Sequence, residues 1–447
     1  MPTRQSIFSS LTKNLFAKDS ENEFRIKNDT ERYRKGFGDI RKITVNGEEI
    51  SSGEIHFKLK KHEFKFGCNS FMLGEFDDTE KNQIYAEKFK ELFNLAVVPF
   101  YWSDLEPSDG ELRFEKNSRP LYRRPPTDLI VEFCEKNNIT PKGHPLMWHL
   151  WYPEWLPKDL NKLSDRIEQR FQEIAERYGK RIKIWDVINE PLTWGPTALH
   201  LPERHIELVF KLAEKYFSAG STFIYNDVTY RGFGEFDGCY TPMDMLAARL
   251  LSKGLKLDCL GLQYHMFFRN AEHMLNDTAG GNYYYNPSRQ FAIMDQHAQL
   301  GIPFNISEVS IPGNEENGGE EYQALITEKL YRIWFSHPAN TQIIWWNLVD
   351  GTAAHAPKGS NEGENLFKAG FLNYDFSEKQ VCKVFRNLLK EWHTDCKINY
   401  DNSRINKFHG YYGDYEAIIK CNKGNFTTDI SLLKGCLNQY SLKFTSV

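Results

Sequence analysis

Apolar residues recur along this chain with two periods. Between residues 64 and 392, short apolar runs ending in small or polar residues alternate with longer stretches whose apolar positions fall three and four apart. The first pattern is that of buried strands and the second that of amphipathic helices. The strand-like runs are 64–69, 95–100, 140–144, 182–188, 222–225, 258–263, 303–306 and 342–346. Helical stretches fill the gaps, among them 164–178, 204–217 and 321–335, and a closing helix is expected at 381–392. Strand followed by helix eight times over predicts parallel βα units, hence an α/β fold of the (β/α)8 barrel type. The longest loops follow strands, and the largest, 350–369, is rich in Gly, Asn and His.

Both ends of the chain break this rhythm. The first 35 residues or so are polar around an apolar patch at 7–16, which reads as a helix laid across a domain surface. From Asp39 the pattern alternates: Ile40, Ile43 and Val45, the turn-forming Asn46-Gly47, then Ile50, Ile55, Phe57 and Leu59. Beyond His393 alternation returns, through Tyr411, Ala417, Ile419, Phe426, Ile430, Leu432, Leu442 and Phe444. Each β-rich end is short and marginal alone. They are therefore expected to form one discontinuous β-sandwich, with 1–62 and 396–447 flanking a catalytic barrel at 63–395.

A length of 447 residues suits a barrel plus an accessory module. With 56 basic against 60 acidic residues and no long block of either sign, nothing favours a nucleic-acid partner. No apolar run reaches membrane-spanning length. Aromatic residues make up 14% of the chain, a large supply of flat faces with hydrogen-bonding edges. The eight cysteines include no C-x-x-C pair and are too sparse for a disulfide scaffold. The first 19 residues lack the apolar stretch of a secretory signal, so the protein is expected to be intracellular, or written here without its leader.

The candidate chemistry gathers at strand ends. In Ile184-Trp-Asp-Val-Ile-Asn-Glu190-Pro191 a strand-forming run stops at a proline, placing Asn189 and Glu190 at its C-terminal mouth. A second carboxylate, Glu308, closes a later strand in Asn305-Ile-Ser-Glu308-Val-Ser310. Strands four and seven of a barrel can bring two such groups together. A retaining glycosidase needs a pair of that kind about 5 to 5.5 Å apart.

Through W-D-V-x-N-E, matched at 185–190, the chain resembles glycoside hydrolase family ten, the retaining β-1,4-xylanases, over about residues 64–394. The resemblance implies that Glu308 is the nucleophile and Glu190 the acid/base, with the charge of Glu308 raising the pKa of Glu190. It implies that Asn189 binds the sugar 2-hydroxyl. Gln263 and His265, in Leu262-Gln-Tyr-His265, match the motif whose His orients the nucleophile. His144 and Trp148 match the third-strand motif that walls the central sugar site, Trp346 its aromatic platform, and Asn226-Asp227 a supporting pair. The substrate would be a β-1,4-linked xylan or a related glycoside, and no cofactor is called for. His144, His149, His265 and His355 show no i, i+4 spacing and no adjacent cysteine, so no catalytic metal is expected.

Departures cluster at one subsite. The family's second strand reads E-N-x-x-K-W, whereas this chain has Val97-Val-Pro-Phe-Tyr101-Trp102. Its W-H-x-Q is Trp148-His-Leu-Trp151 here, and its E-L-D is Glu308-Val-Ser310. Polar groups that hold the next sugar on the non-reducing side are replaced by apolar ones. Specificity is thus expected to rest on Val97, Val98, Tyr101 and Trp151, leaving room for a decorated or non-xylan glycoside or an exo-acting enzyme. A silent carbohydrate-binding protein would have no use for Glu190, Glu308 and Asn189 together.

Overall fold

The computed structural model describes residues 4–270, 272–273, 284–354 and 356–445. The polar N-terminus forms two helices, α1 (Arg4–Phe16) and α2 (Ser20–Arg34). Helix α1 buries Phe8, Leu11 and Leu15, spaced three and four apart, and the Phe8 ring lies 5.2 Å from Tyr322. Periodicity gave no sign of α2, because it is polar nearly all round. Asp19 caps it by accepting from the Asn22 N–H at 3.0 Å. Its last residue, Arg34, donates to the carbonyls of Phe335 and His337 and lies against the rings of Phe64 and Phe335, at 4.5 and 5.2 Å.

Strands β1 (Lys35–Val45), β2 (Glu48–Glu49) and β3 (Ser52–His62) precede the barrel. The barrel strands are β4 (Lys65–Asn69), β5 (Leu95–Pro99), β6 (Thr140–His144), β7 (Ile184–Asn189), β8 (Thr222–Asp227), β9 (Cys259–His265), β10 (Phe304–Ser310) and β11 (Asn340–Trp345). Among the described residues they close in the order β10-β11-β4-β5-β6-β7-β8-β9, with every registered pair parallel. Helices Leu160–Tyr178, His205–Tyr216, Gly319–Ser336 and Gln380–Glu391 lie where their periodicity puts them. Several strands run further than the apolar runs do. In particular, β9 and β10 extend to His265 and Ser310 because Glu308 and Ser310 stay in register with Gln263 and His265. Polar residues there continue the ladder instead of leaving it.

After the barrel come β12 (Asp395–Asp401), β13 (Lys407–Tyr411), β14 (Gly413–Cys421), β15 (Gly424–Leu432) and β16 (Gln439–Phe444). One sheet has the order β13-β1-β16, with β2 on β1, and the other the order β12-β3-β14-β15. Alternate residues Ile55, Phe57 and Leu59 of β3 and Tyr415, Ala417 and Ile419 of β14 are buried, and Phe57 stacks on Phe408 of the opposite sheet at 4.0 Å. The contacts divide the chain into 1–18, 66–334 and 339–384 on one side and 19–65, 335–338 and 385–447 on the other. Relative to the expected boundaries, α1 thus groups with the barrel, through contacts such as Phe8 with Tyr322.

The two sheets depend on each other's inner faces. Replacing Phe57 by Ala is expected to lower unfolding stability by about 3–5 kcal/mol, read from urea midpoints. Deleting 398–447 removes β13 to β16 and most of β12, and should give insoluble protein. A soluble truncation with an unchanged Tm would contradict this interdependence.

Candidate active site

At the C-terminal mouth of the barrel a cavity of about 430 Å3 is walled by Tyr101, His144, Trp148, Asn189, Glu190, Gln263, His265, Glu308 and Trp346. Of the residues expected at the site, Trp151, Val97, Val98 and the supporting pair Asn226-Asp227 are missing from this wall. Glu190 follows β7 directly and takes a left-handed backbone conformation, φ 52°, which a side-chain-bearing residue adopts at a cost. Its N–H donates to the Asn226 carbonyl at 2.8 Å, and Gln263 Nε2 donates to its Oε1 at 2.9 Å. Two neighbouring strands thus fix both the backbone and the carboxyl of Glu190.

Glu308 is enclosed by donors from three other strands. Asn226 Nδ2 lies 2.7 Å from Oε1, His265 Nε2 3.1 Å from Oε2, and His144 Nε2 3.9 Å from Oε1. The same Asn226 amide donates to Asn189 Oδ1 at 2.6 Å, and the Asn189 amide in turn hydrogen-bonds Glu190. Asn226 reaches Glu308 and Asn189 because position 261, beside it on β9, is glycine. A Cβ there would stand 2.2 Å from Asn226 Oδ1. Behind the site, His144 Nδ1 meets Asp186 Oδ2 at 2.7 Å, and Lys142 Nζ meets the same oxygen at 2.9 Å, all three side chains buried. The third-strand motif was legible, but the Lys142–Asp186 pair beneath it was not singled out. His265 Nδ1 lies 2.9 Å from Ser310 Oγ, a hydroxyl with no charge to offer.

These surroundings drive the two carboxyls apart. Burial pushes the Glu308 pKa up, but the charge of His144, the hydrogen bond and charge of His265 and the Asn226 amide outweigh it, leaving Glu308 below the usual carboxylate value. Glu190 is pushed up to about 8, first by burial and then by the charges of Glu308 and Asp227, against the hydrogen bond from Gln263. The sequence suggested the charge of Glu308 as the cause; desolvation at the cavity floor is the larger one. Asp227 is itself raised to about 6 by burial, and Tyr225 donates its hydroxyl to it at 2.5 Å.

One side of the cavity is aromatic. Trp148 stacks on Trp151 at 5.8 Å and 13°, and Tyr101 lies 5.8 and 5.5 Å from the two indoles. Arg124 lies 4.0 Å over the Tyr101 ring and 5.3 Å from Trp151, held by its Nε on Asp104 at 2.7 Å. Trp151 therefore braces the wall from behind. Val97 and Val98, expected to face a sugar, do not. Val97 packs in the barrel interior with Leu95, Tyr101, Ile344 and Trp346, and Val98, on the other strand face, is fully buried. The Trp148 indole N–H is buried without a protein acceptor.

The sequence reading missed Val228, Thr229 and Tyr230 after β8, together with Phe267 and Glu364, which complete the cavity. The Asn226-Asp227 pair was the available signal for the first three, since residues after a polar strand end lie at the mouth. His149 is spent on the Thr193 carbonyl at 2.5 Å, while His355 lies outside the described residues. Among the described residues no three His, Cys, Asp or Glu side chains are grouped to hold a metal.

The chain is 23% identical over 409 residues to the anti-sigma-I factor RsgI6 of Acetivibrio thermocellus, a match covering 90% of this chain and 47% of that one. It is 25% identical over 288 residues to endo-1,4-beta-xylanase B of Thermotoga neapolitana, covering 61% and 74%. It thus spans about half the length of the first of these relatives. A solved structure of xylanase 10B from Thermotoga petrophila in complex with xylobiose superposes with a TM-score of 0.56 at 22% identity, covering 74% of this chain and 94% of that one. At that identity the superposition shows the shared barrel. The family model for glycosyl hydrolase family 10 matches residues 59–371, through both strand-end glutamates and the mouth they share, and the chain belongs to that family.

Proposed function

We propose that this protein is a retaining glycoside hydrolase that cleaves β-1,4-linked xylan or a xylan-related oligosaccharide by double displacement. The observation that carries the proposal is the opposite displacement of two carboxyls in one cavity, Glu308 below its ordinary pKa and Glu190 up at about 8. Glu308, ionised, attacks the anomeric carbon. Glu190, protonated, gives its proton to the leaving oxygen. The glycosyl–enzyme ester removes the charge on Glu308, so one of the two main influences favouring a proton on Glu190 disappears while burial remains. Glu190, already without its proton, then takes one from water as the water attacks. Asn189 and His144 would hold the sugar hydroxyls, and Trp346 its flat face. Family membership and the named xylanases among the relatives support xylan as the substrate class.

The aromatic wall favours short substrates within this reading. On the non-reducing side of the cleaved bond, Tyr101 and Trp148 present ring faces, and the Trp148 N–H is the donor left unpaired there. A hydroxyl placed against the rings without a partner costs about 1 to 3 kcal/mol. The value of kcat/KM on linear xylo-oligosaccharides is therefore expected to stay nearly flat as a sugar is added at the non-reducing end. A steep climb would mean that another residue supplies the missing contacts.

Replacing either glutamate should leave a different remnant of activity. Glu308→Ala is expected to abolish turnover on every substrate. Glu190→Ala should retain much of the glycosylation rate on aryl β-xylosides with acidic leaving groups, which need no protonation. Equal losses on activated and unactivated substrates would contradict the assignment.

The raised pKa of Glu190 also enters stability. The folded protein holds this proton up to about pH 8, whereas the unfolded chain releases it near the ordinary value of 4.5. Stability from this group is full below the unfolded pKa, declines as pH rises, and is gone above the folded pKa. Glu190→Gln should therefore gain stability over the parent between about pH 4.5 and 8 and keep a constant lead above that. Urea midpoints at pH 5, 7 and 9 measure it, and a pH-independent difference would show that Glu190 ionises normally.

A further inference from the structure

The loops after β5 and β6, which carry Tyr101 and Trp148 into the cavity, also shape a second hollow. Ser103, Ser108 and Asp109 from the first loop and Tyr152, Glu154 and Trp155 from the second line a space of about 600 Å3, and it shares no residue with the catalytic cavity. Both aromatic side chains are anchored by their polar ends. The Tyr152 hydroxyl donates to the Thr197 carbonyl at 3.0 Å, and Trp155 Nε1 donates to the Glu106 carbonyl at 3.1 Å. Trp155 is further held between the Arg166 guanidinium, 5.2 Å from its ring, and the edge of Trp102 at 6.4 Å. What remains for a visitor is ring surface in a fixed orientation, which costs little side-chain entropy on binding.

The charges around these rings select the visitor. Asp109, its side chain 75% exposed, and the exposed Glu154 offer solvent-exposed acceptor oxygens. Arg166 is paired with the buried Glu106 carboxylate and lies 3.8 Å from Asp109 and 3.5 Å from Glu173. An anion would meet two carboxylates, and no Lys or Arg is among the residues that line the hollow. An apolar ligand would leave those carboxylates unanswered. A neutral sugar presents C–H faces to the rings and hydroxyl donors to the carboxylates, and so uses both features.

We propose that this hollow is an auxiliary saccharide site that holds a neutral β-linked glycan chain beside the catalytic cavity. The inference rests on the glycoside hydrolase reading above. Its use is to raise the local concentration of a polymer at an active site whose own wall offers few contacts to neighbouring sugars.

The test separates the two readings. In the full-length Glu308→Gln protein, calorimetric titration with xylohexaose should show two equivalents bound, and adding Tyr152→Ala, or Asp109→Ala with Glu154→Ala, should remove one. The acidic pair is exposed, so that variant keeps the site testable should the Tyr152 change disturb the loop. In the otherwise unmodified enzyme the same changes should raise KM for soluble xylan about tenfold while leaving kcat and aryl β-xyloside kinetics unchanged. A single equivalent in Glu308→Gln, unaltered by the further substitutions, overturns the auxiliary site. If aryl xylosides are still hydrolysed in that case, the hydrolase reading stands. If they are not hydrolysed by the unmodified enzyme, the hydrolase reading falls, and the titration still reports on the hollow.

Discussion

Two carboxyl groups share one cavity, where burial and, after it, the neighbouring negative charges make it costly for both to be ionised at once. Most of the site follows from how that constraint is resolved. Donors crowd Glu308: Asn226, His265 and, behind them, His144. Glu190 receives hydrogen bonds from the Gln263 and Asn189 amides, which burial and the charges of Glu308 and Asp227 outweigh. The barrel makes the asymmetry possible because each group comes from a different strand whose neighbours are fixed by register. Parallel pairing sets Asn189 opposite Asn226, Glu308 opposite Gln263 and Ser310 opposite His265. A shift of one residue in any of these ladders would point the polar side chains away from the mouth.

How much of this the sequence disclosed depended on whether a residue announces itself locally. Glu190 and Glu308 interrupt apolar runs, so their position at strand ends was visible, as were the eight βα repeats and the alternating strands at both termini. Val97 and Val98 show what a linear reading lacks. They align with sugar-binding positions, yet β5 stops at Pro99 and neither side chain reaches the mouth, because strand tilt and depth in the barrel are properties of the closed sheet. Helix α2 was invisible for a different reason. Its attachments include Arg34 on the Phe335 carbonyl and Glu31 beside His409, both polar, and a period-based reading has nothing to register in a helix without an apolar stripe.

Under the site lies a layer that is pure support. Lys142, Asp186 and His144 form a buried chain of charge and hydrogen bonds, and the charges of Lys142 and His144 keep Asp186 ionised in spite of its burial. An ionised Asp186 holds Nδ1 of His144 as a donor and points Nε2 toward Glu308. On the opposite side His265 has only the Ser310 hydroxyl behind it. Glu308 is thus flanked by one imidazole tied to a carboxylate and another tied to a neutral group.

The pairing of β1 with β16 has a consequence in time. Ile40 lies beside Tyr440, so the chain must be extended by about four hundred residues before that contact can form. At the usual pace of synthesis this is a wait on the order of tens of seconds, during which the barrel segment emerges while the first strands lack their partners. Strand β3 waits likewise for β12 and β14. It does so with Lys58, Lys60 and Lys61 interleaved among Phe57 and Leu59, charges that make an unpaired strand a poor template for other chains. The lysines on this strand thus protect it chiefly before the sandwich exists.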